Sequence, residues 1–148
     1  MNVEGTHAAD PDVRTIAVRH EAITQTMLES CRRAGRDPAS VTLVGVTKRK
    51  SVDVVRNAIA AGILDIGENY VQELIEKAES IGPGPRWHFI GHLQRNKVRL
   101  VLPHVHIIHG VDSERLAIEI DRQANELGRR LPILIQVNTS EEGSKSGV

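Results

Sequence analysis

The chain has 148 residues, enough for one domain with a real core. Lysine plus arginine equals aspartate plus glutamate at 19 each, a balance that argues against nucleic acid or an anionic membrane as the main partner. The single cysteine, Cys31, excludes an internal disulfide and fits a reducing, cytoplasmic setting.

Residues 1–9 read as a disordered tail, without the basic and apolar regions of a targeting signal. Asp10 followed by Pro11 is a capping residue and a first-turn proline, so a helix is expected to start there. Val13, Ile16, His20, Ile23, Met27 and Cys31 recur at helical spacing, which makes Cys31 a small apolar residue on that stripe. Gly35 stops the helix and Asp37-Pro38 makes a turn. No apolar stretch approaches the roughly 20 residues of a membrane helix.

From Val41 onward strand and helix alternate. Strands are expected at 41–47, 63–66, 86–90, 105–109 and 132–138, and helices at 51–61, 69–80, 94–101 and 113–128. Gly62, Gly82-Pro83-Gly84-Pro85, Pro103 and Gly128 punctuate the joins. This alternation means βαβ units and a parallel sheet. A doubly wound nucleotide-binding sheet would usually carry glycines after its first strand, but Thr47-Lys48-Arg49-Lys50-Ser51 has none. Polar residues at successive strand exits favour a (β/α)8 barrel of the TIM type. Five strands are legible, so residues 10–148 are expected to form about the first five βα units of that α/β barrel. Two edges and an apolar interior would then be left uncovered.

Lys48 ends the apolar run Val41-Thr42-Leu43-Val44-Gly45-Val46-Thr47. Apolar walls, and like charge on Arg49 and Lys50, would lower its pKa and free the amine to form a Schiff base. The plainer reading is a solvated lysine after a strand. Asn69 follows the second strand, where it is either a site residue or an ordinary helix cap. His88, between Trp87 and Phe89, is either a site imidazole or a satisfied core histidine. Asp112, at the exit of the fourth strand, is either a site carboxylate or only a cap for the helix beginning near Ser113. His104, His106 and His109 suggest a metal, but no acidic or cysteine ligand lies near them in sequence, so no metal site is assigned.

Four segments, in order, resemble one known family. They are Thr47-Lys48-Arg49-Lys50, Gly67-Glu68-Asn69-Tyr70-Val71-Gln72-Glu73, Trp87-His88-Phe89-Ile90-Gly91-His92-Leu93-Gln94-Arg95-Asn96-Lys97, and Ser144-Lys145-Ser146-Gly147. The chain resembles the pyridoxal phosphate homeostasis protein family, whose fold is similar to the N-terminal barrel of alanine racemase. The resemblance runs from about Val41 to the last residue.

It implies a monomeric (β/α) barrel that holds pyridoxal 5′-phosphate as an aldimine on Lys48. Asn69 and His88 match motif positions near the cofactor, and Lys145 matches a second lysine of the family pattern. The implied role is to buffer or deliver the cofactor in the cytoplasm, without established turnover, with apo-enzymes that use the cofactor as recipients. Two departures stand out. Ser51 replaces a frequent proline, and the family's phosphate-binding Gly, Ser and Arg motifs, which lie in its last third, have no counterpart here.

Two rival functions use the same lysine. A racemase would pair it with a tyrosine from a partner's second domain, whereas this chain's one tyrosine, Tyr70, lies in a helix-start motif. A cofactor-free Schiff-base aldolase would use Lys48 as nucleophile and His88 as acid/base partner.

Overall fold

The computed structural model describes residues 11–139 and 147–148. Helix α1 spans Val13–Arg33, and Asp12 caps it by accepting the Thr15 N–H on Oδ1 at 2.7 Å. The expected cap, Asp10, lies outside the described residues, as does the tail 1–9. Pro11 precedes the cap, and its carbonyl accepts Asn57 Nδ2 at 3.2 Å. The buried stripe of α1 ends on Cys31, as expected, but Ile23 faces outward at 53% exposure. Thr24 and Leu28 are partly buried in its stead.

The strands are β1 (Gly45–Val46), β2 (Asp65–Glu68), β3 (Arg86–Phe89), β4 (Ile107–Val111) and β5 (Ile133–Ile135). Helices α2 (Val52–Ala60), α3 (Val71–Ile81), α4 (Val98–Val101) and α5 (Glu114–Glu126) fall between them. All pairs are parallel and the sheet order is β1-β2-β3-β4-β5. Four consecutive βα units and a fifth strand, in sheet order, form the α/β arc of a partial barrel.

Register fixes the faces. Gly45 pairs with Ile66 and Ile66 with Trp87; one residue on, Val46 pairs with Gly67 and Gly67 with His88. Because side chains alternate, Ile66, Trp87, Phe89 and Ile108 point to one face and meet Val55, Leu74, Val98, Val101, Leu116 and Ile120 from the helices. The core therefore sits between sheet and helices. Asp65, Gly67 and His88 point to the opposite face.

Both edge strands are shorter than expected. β1 and β5 each have one neighbour, so residues 41–44 and 136–138 lie outside the ladder although their residue types suit a strand. Leu134, Ile135 and Val137 stay 48–64% exposed on or beside β5, which is the expected uncovered apolar surface. The helix expected at 94–101 is a 3₁₀ turn, Arg95–Lys97, followed by the short α4. Pro103 prevents its continuation. Arg129 donates to the Leu102 and Val105 carbonyls at 2.9 and 2.8 Å, satisfying acceptors that the short helix leaves open.

The β2 and β3 exits touch backbone to backbone. A Cβ on Gly91 would fall 2.2 Å from the Asn69 carbonyl oxygen, so only glycine fits there. Gly91→Ala should lower stability by more than about 2 kcal/mol in urea unfolding. A loss below roughly 0.5 kcal/mol, typical of a surface change, would contradict this packing.

Candidate functional site

Lys48 sits in a tight turn at the exit of β1. Thr47 N–H donates to Gly67 O at 3.0 Å, and Lys50 N–H closes the turn on Thr47 O at 3.0 Å. Arg49 occupies the left-handed region at φ 58°. That conformation costs a non-glycine residue roughly 1–2 kcal/mol, so something must hold it. The holder is a buried ionic cluster. Arg49 N–H donates to Glu73 Oε2 at 2.7 Å. Lys77 Nζ donates to Thr47 O at 2.9 Å, Glu68 Oε1 at 2.7 Å and Glu73 Oε2 at 2.8 Å. Thr47 Oγ1 donates to Glu68 Oε1 at 2.5 Å.

Lys77 is 3% exposed and Glu68 is fully buried. Burying such charges costs several kcal/mol per ion unless every proton finds an acceptor, and all three ammonium protons of Lys77 do. Burial pushes the Glu73 carboxyl up, but the hydrogen bonds from Lys77 and the Arg49 N–H outweigh it and hold it below the usual carboxylate range.

Lys48 itself is exposed. The apolar enclosure expected of it is not supplied by the described residues. Ser51, the departure from the family pattern, caps α2 by accepting Val54 N–H on Oγ at 3.3 Å.

Asn69 does not cap α3. Tyr70 holds the cap position, and Asn69 Oδ1 is buried without a hydrogen-bond partner among the described residues. Its backbone is committed to the Gly91 contact, which keeps it out of cap geometry. Asn69 lines a cleft of about 410 Å³ with Tyr70, Gln72, His92, Gln94 and Lys97. Asp112 is no cap either, because its Oδ2 accepts His92 Nδ1 at 3.0 Å.

His88 is not cradled by its aromatic neighbours in sequence. Trp87 and Phe89 enter the helix-side core, whereas His88 faces the opposite side at 5% exposure. Its Nε2 lies 2.9 Å from Asp65 Oδ1 and its Nδ1 lies 3.0 Å from His109 Nε2. An ionised carboxylate only accepts, so His88 donates from Nε2 to Asp65, and its Nδ1 shares a hydrogen bond with His109 Nε2. Arg86 Nε also donates to Asp65 Oδ1, at 2.7 Å. Burial pushes the Asp65 carboxyl up, but hydrogen bonds from Arg86 and His88 outweigh it and hold the pKa below its ordinary value. Burial, then repulsion from His88, lowers the His109 pKa. Among the described residues no three His, Cys, Asp or Glu groups converge as a metal site.

Lys48, Asn69 and His88 thus come from three neighbouring strands. Val46, Gly67 and His88 lie side by side on one face, and Lys48, Asn69 and Ile90 follow each by two residues. A Cβ on Gly67 would meet Val44 at 3.0 Å and Ile90 at 3.1 Å, so apolar side chains floor the mouth. An amine, an unpartnered amide oxygen and an apolar floor fit the aldehyde-and-ring end of pyridoxal phosphate. Lys145 lies outside the described residues.

Sequence reasoning missed Glu68, Lys77, Asp65 and Arg86. Glu73 and Lys77, four apart on α3, look like a solvated helix pair. Asp65 interrupts the otherwise apolar expected strand 63–66, and a charge there was the available signal.

The family model for the alanine racemase N-terminal domain matches residues 18–148. The chain belongs to the alanine racemase N-terminal domain family. The resemblance to pyridoxal phosphate homeostasis proteins is borne out as well. The Pseudomonas aeruginosa protein of that name is 41% identical over 134 residues, covering 90% of this chain and 58% of that protein. The chain thus spans little more than half the length of such relatives. PipY of Synechococcus elongatus, solved with PLP bound, is 39% identical with TM-score 0.68, over 84% of this chain and 57% of PipY. A crystal structure from Bifidobacterium adolescentis is 34% identical with TM-score 0.81, over 99% of this chain and 64% of that one.

The relay of this racemase-like domain sets an acid sensitivity. A depressed His109 pKa means that the folded state binds fewer protons than the unfolded chain. Stability is therefore full above the ordinary value of 6.5 and is lost as pH falls below it. Asp65 adds a second loss in the same direction, only as pH falls below 3.8. Melting followed from neutral pH down past 6.5 should show a falling midpoint, and His109→Gln should flatten that fall. An unchanged slope in the variant would remove His109 from the account.

Proposed function

We propose that this chain carries the amine-bearing part of a pyridoxal phosphate carrier, which buffers or delivers the cofactor within the cell. The observation that carries the reading is Lys48, an exposed amine on an immobilised turn above the apolar mouth of a partial barrel. The relatives' name and the PLP-bound state of PipY support it. When bound, the cofactor would supply an aldehyde to which Lys48 Nζ links covalently and reversibly. Asn69 Oδ1 offers a hydrogen-bond acceptor beside it, while His88 supports the floor through its paired nitrogens. Lys145 is the second family lysine. The groups that would anchor the phosphate are not assigned to any described residue.

A carrier is favoured over the two rivals. Racemisation needs a second base facing the lysine. Tyr70, the chain's one tyrosine, is 45% exposed at the start of α3, on the cleft lined by His92 and Lys97. The aldolase reading needs a free His88, and both of its ring nitrogens are engaged. The proposal extends to transfer onto apo-enzymes in the cytoplasm by a monomeric protein. Among the described residues no helix is long and apolar enough to cross a membrane.

The test is covalent trapping. The protein is incubated with pyridoxal phosphate, reduced with borohydride and digested for peptide mapping. The label is expected on Lys48 and should vanish in Lys48→Ala, together with the visible absorbance of the bound cofactor. Label mainly on Lys50 or Lys145 would overturn the assignment.

A further inference from the structure

The Lys48 turn is held on both sides of the residue it presents. Before Lys48, the Thr47 carbonyl accepts Lys77 Nζ at 2.9 Å and the Thr47 hydroxyl donates to Glu68 at 2.5 Å. After it, the Arg49 N–H donates to Glu73 at 2.7 Å, with Arg49 in the left-handed region at φ 58°. Lys77 joins the two sides, because its ammonium bonds Thr47, Glu68 and Glu73 together. These partners come from the β1 exit, the last residue of β2 and the body of α3. Lys48 and Lys50, by contrast, are both exposed on the same turn. Their chemistry is the same, so only backbone geometry distinguishes which amine faces the mouth.

We propose that Lys77, Glu68 and Glu73 are positioning residues that select Lys48 over Lys50 as the reactive amine, by locking the turn at 47–50 into one backbone conformation. The inference rests on the carrier reading for the identity of the reacting carbonyl. In a trapping reaction Lys48 Nζ attacks an aldehyde carbon, the aldehyde oxygen leaves as water, and borohydride supplies the hydride that makes the C–N bond permanent. Misplacing an attacking atom by about 1 Å costs such a reaction up to roughly a hundredfold in rate. Releasing the turn should therefore redistribute label between two lysines of one loop, an effect that general loss of packing would not produce.

The experiment compares the wild-type chain with Glu73→Ala, Glu73→Gln and Lys77→Met. Each is labelled with pyridoxal phosphate and borohydride, mapped by mass spectrometry for the Lys48-to-Lys50 ratio, and melted in parallel. Glu73 is partly exposed, so its variants should keep a cooperative melt. Glu73→Ala removes the acceptor for the Arg49 N–H and should lower the Lys48-to-Lys50 ratio at least about tenfold. Glu73→Gln retains an acceptor oxygen and should restore most of the ratio. Lys77→Met should match or exceed the alanine effect; if it fails to fold, the Glu73 pair decides. Wild-type labelling at Lys48 with an unchanged ratio in folded Glu73→Ala would overturn the positioning role and leave the carrier reading standing. A wild-type chain unlabelled at Lys48 would instead overturn the carrier reading, and the proposal with it.

Discussion

Lys77 places a primary ammonium where almost no water reaches it, and the first half of the sheet depends on how that charge is satisfied. Its three acceptors belong to the β1 exit, to β2 and to α3. Removing one partner from a buried pair typically costs about 3–5 kcal/mol, because the remaining charge stays buried and uncompensated. The three elements are therefore tied into one unit. β1 is only two residues long and has one neighbour, so its ladder alone fixes little. The ionic cluster decides where β1 ends and in which conformation the chain leaves it.

The two faces of the sheet divide the work. Apart from the Lys77–Glu68–Glu73 cluster, the helix face is aliphatic and aromatic, and it supplies the bulk of the hydrophobic stabilisation. The opposite face carries its polar groups in a chain of paired donors and acceptors, His109 to His88 to Asp65, with Arg86 at the end. Each buried nitrogen of His88 has a partner, which is what makes a histidine tolerable at that depth. Above this relay the strand exits bring Lys48 and Asn69 to the mouth, where the glycines at 67 and 91 let backbones and apolar side chains close in.

The order of elements was legible because each strand announces itself as a short apolar run, each helix through a period near 3.6, and each helix end through a glycine or proline. The strand exits and the placement of Lys48 followed from that. The lengths of β1 and β5 did not, because an edge strand's extent depends on its neighbour and not on its own residues. Asn69 and Asp112 each left a cap open as the alternative to a site role, since cap-forming residue types also suit backbone contacts and side-chain pairs; neither side chain caps a helix. The ionic cluster was invisible for another reason. Glu68 and Lys77 come together only when β2 and α3 pack, and nothing in either segment names the partner. The aromatic flanks of His88 misled through alternation, which sends neighbours in sequence to opposite faces.

The central claim is that the exposed turn bearing Lys48 is rigid because the buried cluster holds it. Amide hydrogen exchange at Arg49 measures this most directly. An N–H in a free surface turn exchanges near the rate of an unfolded chain, whereas one bonded to Glu73 inside this cluster should be slowed by at least roughly a hundredfold. Such protection at Arg49 is the predicted result. Exchange at the unprotected rate in the folded protein would show that the cluster does not hold the turn.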